Sequence, residues 1–226
     1  MPPQNTSALI RIGIWALPVT GVLVLIAQLA SLGNPDPSVD PKGAAQAASS
    51  AGYILSQFVG NVLGVTLAIF GIIALFGYLA NVGWGRLASW AMILCILGFG
   101  ILLSVFGIFT YLPPALSRAY LGGQHDAFKA FGSIFGLIFP ILTVGNLLIF
   151  LGFLVFSVAI WRSGVLPRAA GGLLVIAALL LGVPANVPIL TAVGTVVLII
   201  AGGWIALSVM RGPSGPAEAQ AQPRVR

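Results

Sequence analysis

A chain of 226 residues with 59% apolar and only 6% charged side chains is far from the soluble globular class, where about 25% charge is usual. Charge-free runs at 12–35, 43–85, 87–117, 130–161 and 169–210 are each long enough to span a bilayer, which takes about 20 apolar residues. This excludes a disordered chain, a nucleic-acid-binding domain, a disulfide scaffold and a large soluble catalytic domain, and leaves a multi-pass integral membrane protein.

The first helix is predicted over about 12–32. It is longer than the roughly 7–15 residues of a secretory h-region and lacks a small-x-small cleavage pattern near Ala27 to Ala30, so it reads as a spanning helix with a kink point at Pro18. Residues 33–50 hold three prolines, two Asp and one Lys and read as an extramembrane loop. A second helix, 51–80, is broken by Asn81, Gly83, Gly85 and Arg86. A third, 87–111, is closed by Pro113-Pro114. The segment 112–129, with Arg118, Gly122-Gly123, His125, Asp126 and Lys129, is the second polar loop, and the fourth helix covers 130–161. The last run would make about 63 Å of helix, twice a hydrocarbon core of about 30 Å. Pro184 and Pro188 therefore divide it into helices 167–183 and 189–210, or, because the first of these reaches only about 26 Å, into a re-entrant hairpin. The tail 211–226 is Pro, Ala and Gln rich and reads as disordered and cytoplasmic.

The expected fold class is thus all-α: one transmembrane domain, 1–210, a polytopic bundle of six helices with both termini cytoplasmic. Arg11, Arg86, Arg162, Arg168, Arg211, Arg224 and Arg226 then lie inside, and Lys42, Arg118 and Lys129 outside, as the positive-inside rule asks. Trp84, Trp90 and Trp161 fall at inner helix ends, with Trp15 and Trp204 nearby, while Asp36, Asp40 and Asp126 fall outside. The net charge of +6 reads as topology rather than as an acidic or nucleic-acid partner, since no Lys/Arg cluster exists. Cys95 stands alone, so neither a disulfide nor a thiolate metal site is implied.

The stretch Ser163-Gly164-Val165-Leu166-Pro167-Arg168-Ala169-Ala170-Gly171-Gly172-Leu173-Leu174 has the pattern SGxLPRxxGxLL. It resembles a family of uncharacterised bacterial integral membrane proteins, a domain of unknown function, and the layout of residues 8–210 is similar. The resemblance implies a bacterial inner (plasma) membrane location and a six-helix fold, with no reaction or ligand attached. Physically the stretch is a turn: Gly164 suits φ > 0 past the fourth helix, Pro167 suits the start of the fifth, and Arg162 and Arg168 can snorkel into anionic headgroups.

No ionisable side chain falls well inside a predicted helix, which removes the groups a proton pump, a Schiff-base lysine or a diiron site needs. His125 is the single histidine; beside Asp126, Arg118 and Lys129 it could form an acid/base patch, and the simpler reading is a solvated loop in which Asp126 starts the fourth helix. No metal, cofactor or catalytic set is expected, and the chain reads as a non-enzyme. Uncharged polar residues are the better candidates. Gln57, Asn61, Gly64, Ala68 and Gly71 form one stripe on the second helix, beside Gly60xxxGly64. Gly132, Gly136, Pro140, Thr143 and Asn146 form a comparable stripe on the fourth. Their bland reading is close helix packing. Their functional reading is that Gln57, Asn61, Thr143 and Asn146 face a shared polar cavity, and the Gly-Asn pairs at 60–61 and 145–146 open two weakly similar segments. Phe131, Phe135 and Phe139 line one face of the fourth helix and read as lipid-exposed.

Two functions follow. The first is a non-enzymatic membrane protein that packs helices and binds lipid, another membrane protein or a second copy of itself. The alternative is a small carrier or channel for an uncharged or weakly polar solute.

Overall fold

A computed structural model of the protein describes residues 8–36, 39–124, 126–182 and 188–211, with the backbone alone for 127–133, 135 and 188. Among the described residues every regular element is helical. Helices α1 (Ala8–Ile14) and α2 (Ala16–Ser31) form one rod jointed at Trp15. The joint lies one turn before Pro18, whose missing N–H would have bonded the Ile14 carbonyl.

The segment 33–50, expected as plain loop, contains a helix, α3 (Pro41–Ala48). The Asp40 side chain accepts from Gly43 N at 2.8 Å and Pro41 occupies the first turn, a start signal legible in Asp40-Pro41. Ser50 then caps α4 (Ala51–Gln57), accepting from Tyr53 N at 3.1 Å. A π-helical segment, Phe58–Leu63, joins α4 to α5 (Gly64–Leu79) without a break in the rod. The rod turns back through Ala80–Trp84, where Val82 (φ −100°) and Gly83 (φ 92°) leave helical space. Only glycine takes the second conformation without steric cost.

Helix α6 (Gly85–Leu121) corrects the expected third helix. It runs through Pro113 and Pro114 and stops ten residues beyond 111. The prolines delete two donors, to the carbonyls of Phe109 and Thr110, but the flanking turns retain theirs. The actual stop is Gly122-Gly123: Gly123 has φ 97°, its N–H bonds Tyr120 O, and Gln124 N bonds Ala119 O, the paired bonds of a Schellman cap. Helix α7 (Ala127–Ser163) ends at Gly164, φ 66°, and α8 (Arg168–Gly182) and α9 (Pro188–Arg211) complete the chain. The expected division at Pro184 and the tail beyond 211 lie outside the described residues.

Four stretches, Ala8–Ser31, Ala51–Leu121, Gly136–Ser163 and Ile189–Arg211, are long and apolar enough to cross a membrane. The turn at Gly83 folds the second of them, 71 residues long, into a hairpin. Helix α8 has 15 residues, about 22 Å, and lies along α7, with Gly171 against Ser157 and Gly182 facing Asn146. Outward faces carry exposed Val22, Ile26, Phe70, Leu97, Leu147 and Leu179, surface that belongs in lipid.

Consecutive rods pack antiparallel through small residues. A Cβ on Gly60 would lie 2.1 Å from Ala27 Cβ, one on Gly71 2.7 Å from the Leu17 side chain, and one on Gly152 2.4 Å from Cys95 Sγ. Glycine here permits backbones to approach, the usual device where lipid offers no hydrophobic drive between helices. Phe99 and Phe153 meet edge to face, ring centroids 6.3 Å apart. The core joins Ile14, Leu17, Ile72, Leu75, Leu79, Phe156, Ile160, Leu174, Ile205 and Val209, all fully buried and all in the half of the bundle that holds the Arg-bearing helix ends.

Candidate functional site

The four polar residues singled out from the sequence occupy two separate places. Gln57 and Asn61 flank and enter the π-helical segment; the Asn61 side-chain amide donates to the Gln57 carbonyl oxygen one turn earlier. That segment packs on α2 and α6, and among the described residues it does not touch α7. Thr143 and Asn146 sit on α7. Thr143 is exposed and its hydroxyl donates to Phe139 O on its own helix at 2.9 Å, while Asn146 is half-buried near the end of α8. The structure therefore brings Gln57 to Asn61 but does not bring that pair to Thr143 or Asn146.

The two stripes have different fates. On the second rod Gly60, Gly64, Ala68 and Gly71 are buried against the first rod. On α7 Gly136, Pro140 and Thr143 point outward and no atom lies within 4 Å of a Cβ built on Gly136; Gly132 has no described side-chain environment. The packing row of α7 is instead Ile138, Gly145, Ile149, Gly152 and Phe156. Gly145 faces Leu102 and Gly98, and the packing row lies about two-fifths of a turn from the expected one. Of the phenylalanine face, Phe139 is exposed, and the side chains of Phe131 and Phe135 lie outside the described residues.

Sequence reasoning missed the polar link between the first and last rods. The Gln28 amide nitrogen lies 3.2 Å from Thr195 Oγ1, with Thr195 fully buried. A lone Gln and a lone Thr in two apolar runs carry no pairing signal. Thr20 Oγ1 lies 2.8 Å from Ala16 O and 3.0 Å from Gly64 O, so one hydroxyl is shared between its own helix and the carbonyl just past the π-helical segment. Among the described residues no buried side-chain nitrogen or oxygen lacks a partner.

Two clefts lie at opposite ends. The first, about 390 Å³, opens beside the loop helix α3 and is lined by Ala30, Asn34, Ala47, Ser50, Tyr53 and Ser56, among others. Its Ser50 and Ser56 hydroxyls already donate to Ala47 O and Tyr53 O. The second, about 360 Å³, is lined by Gly83, Trp84, Arg86, Leu87, Trp90 and Arg162. Neither cleft is lined by Gln57, Asn61, Thr143 or Asn146.

Of the acid/base patch, Asp126 stands at the N-cap of α7 and its side chain makes no capping bond. His125 lies outside the described residues, and Arg118 is exposed in the last turn of α6. Among the described residues no three His, Cys, Asp or Glu cluster as metal ligands would. No family model, curated protein or solved structure matches the chain.

Proposed function

We propose that this is a non-enzymatic, multi-pass protein of a bacterial inner membrane that works through its lipid-facing surface, binding lipid or a partner helix. The observation that carries the reading is that Gln28, Gln57, Asn61, Thr143 and Thr195 are engaged in local or interhelical bonds, with no buried side-chain nitrogen or oxygen unpartnered among the described residues. Polar groups retained for a solute would be expected to converge on a shared space; Gln57–Asn61 and Thr143–Asn146 lie apart. In this reading the bundle has six spanning helices, α8 being the short one. Arg11, Arg86, Arg162, Arg168 and Arg211 share one end, with the tryptophans close by. That end faces the cytoplasm under the positive-inside rule, so both termini do too. The SGxLPRxxGxLL turn supports membership of the uncharacterised bacterial family it resembles.

One observation favours the carrier alternative: the π-helical segment Phe58–Leu63 next to Gln57 and Asn61, an irregularity frequent at functional sites. Osmotic swelling of vesicles containing the purified protein, challenged with glycerol or erythritol, separates the two. Uptake equal to that of protein-free vesicles is expected; uptake that rises with protein content and falls in Asn61→Ala would overturn the binding reading in favour of the carrier.

A further inference from the structure

We propose that the cleft between the start of α6 and the end of α7 is a binding site for the phosphate of an anionic phospholipid headgroup. The proposal rests on the lipid-binding reading above and names the lipid class and the place. The left-handed turn at Gly83 starts α6 so that Trp84, Arg86, Leu87 and Trp90 line one wall, with Arg162 from the antiparallel α7 opposite. Arg86 and Trp90, four residues apart, share a helix face. Trp84 and Leu87 are anchored against the core, whereas Trp90 and both arginines are exposed.

Two guanidinium groups in one cleft repel unless an anion joins them, and among the described residues this chain supplies none nearby. Of its four acidic residues Asp36, Asp40 and Asp126 stand at the other end of the bundle, and Glu218 lies outside the described residues. The N-terminus of the 37-residue α6, set off by the non-helical Val82 and Gly83, adds the positive end of a helix dipole. Planar guanidinium forks match phosphate oxygens, and amphipathic indoles suit the glycerol level of a bilayer. The volume of about 360 Å³ falls within the roughly 300–1,000 Å³ of small-molecule sites. The Trp161 indole N–H donates to Arg168 O at 2.6 Å, tying the start of α8 to the α7 turn that carries Arg162. A soluble phosphate ester offers the same chemistry, but the cleft opens beside the exposed Trp90 indole, which favours a lipid there.

Native mass spectrometry in mild detergent tests this by titrating phosphatidylglycerol against phosphatidylcholine. Wild type is expected to retain phosphatidylglycerol about 30-fold more strongly, each basic residue contributing about fivefold. Arg86→Gln/Arg162→Gln should lose that preference, Arg86→Lys/Arg162→Lys should keep much of it, and Lys42→Gln/Arg118→Gln at the other end should keep all of it. A preference unchanged in the cleft pair, or lost equally in the distal pair, overturns the site. Displacement of the lipid by millimolar inorganic phosphate would make it a soluble-phosphate site and overturn the lipid assignment. Retained lipid without headgroup preference removes this site and leaves the broader reading standing, whereas absence of any retained lipid removes both.

Discussion

The two halves of the bundle are built differently. Among the described residues, ten of the twelve largest fully buried side chains lie in the half with the Arg-bearing ends, and all ten are aliphatic or Phe; the two elsewhere, Thr110 and Thr195, are threonines. Irregular backbone occurs in both halves, with the Trp15 joint and the turn through Ala80–Trp84 at the Arg-bearing end. The π-helical segment, the proline pair, helix α3, and the Gln28–Thr195 and Gln57–Asn61 bonds all fall in the loop-end half. Dense apolar packing with close contacts at Gly71 and Gly152 fixes the fold at one end, and at the other the Gly60–Ala27 contact is joined by the hydrogen bonds of Gln28 and Gln57. In lipid this matters, because tight contact, rather than water exclusion, drives helix association.

Four experiments can break or sharpen that contrast. The largest effect is expected from Phe156→Ala in the dense half, where the cavity should cost about 3–5 kcal/mol, read as a fall in thermal unfolding temperature in detergent. A loss below about 1 kcal/mol would mean that the dense half is no more critical than the other. Next, Gly152→Val should cost at least about 1–3 kcal/mol through collision with Cys95 and the Ala91 carbonyl. The same change at exposed Gly136 should stay within about 0.5 kcal/mol, and equal effects would contradict the assigned packing face of α7.

Gly164→Ala forces a residue with a Cβ into φ 66°, at about 1–2 kcal/mol, although nothing crowds the position. An unchanged unfolding temperature would show that the turn can relax. The smallest expected effect belongs to the polar half: a double-mutant cycle on Gln28→Leu and Thr195→Val should give a coupling of about 0.6 kcal/mol, at most about 1.7. A coupling as large as the Phe156 cavity would reverse the contrast between the halves.

The contrast also shows what a linear reading can reach. The apolar runs, the break around Gly83 and the turn at Gly164 were legible because glycine and charge punctuate an otherwise uniform sequence. Helix α3 left a local signal, Asp40-Pro41, that its proline-rich surroundings masked. Pro113-Pro114 misled because a proline removes only its own donor, whereas the Gly122-Gly123 cap ends the helix by satisfying carbonyls. The stripes on α5 and α7 have similar residues and spacing, yet Gly64, Ala68 and Gly71 are buried while Gly136, Pro140 and Thr143 are exposed. Spacing defines a face, and only a facing surface, Ala27 and Leu17 for one stripe, determines whether the face is covered. The Gly-Asn pairs illustrate the same point: Gly60 and Gly145 sit at helix crossings, with Asn61 and Asn146 half-buried beside them, on helices that place them apart.

The central claim, that these intramembrane amides serve packing while the protein binds lipid at its surface, is tested most directly by native mass spectrometry of the wild type and Asn61→Ala/Asn146→Ala. Identical retained phospholipid masses in both proteins, with no further adduct, are the expected result. A stoichiometric small-molecule adduct present in the wild type and lost in the double variant would contradict it.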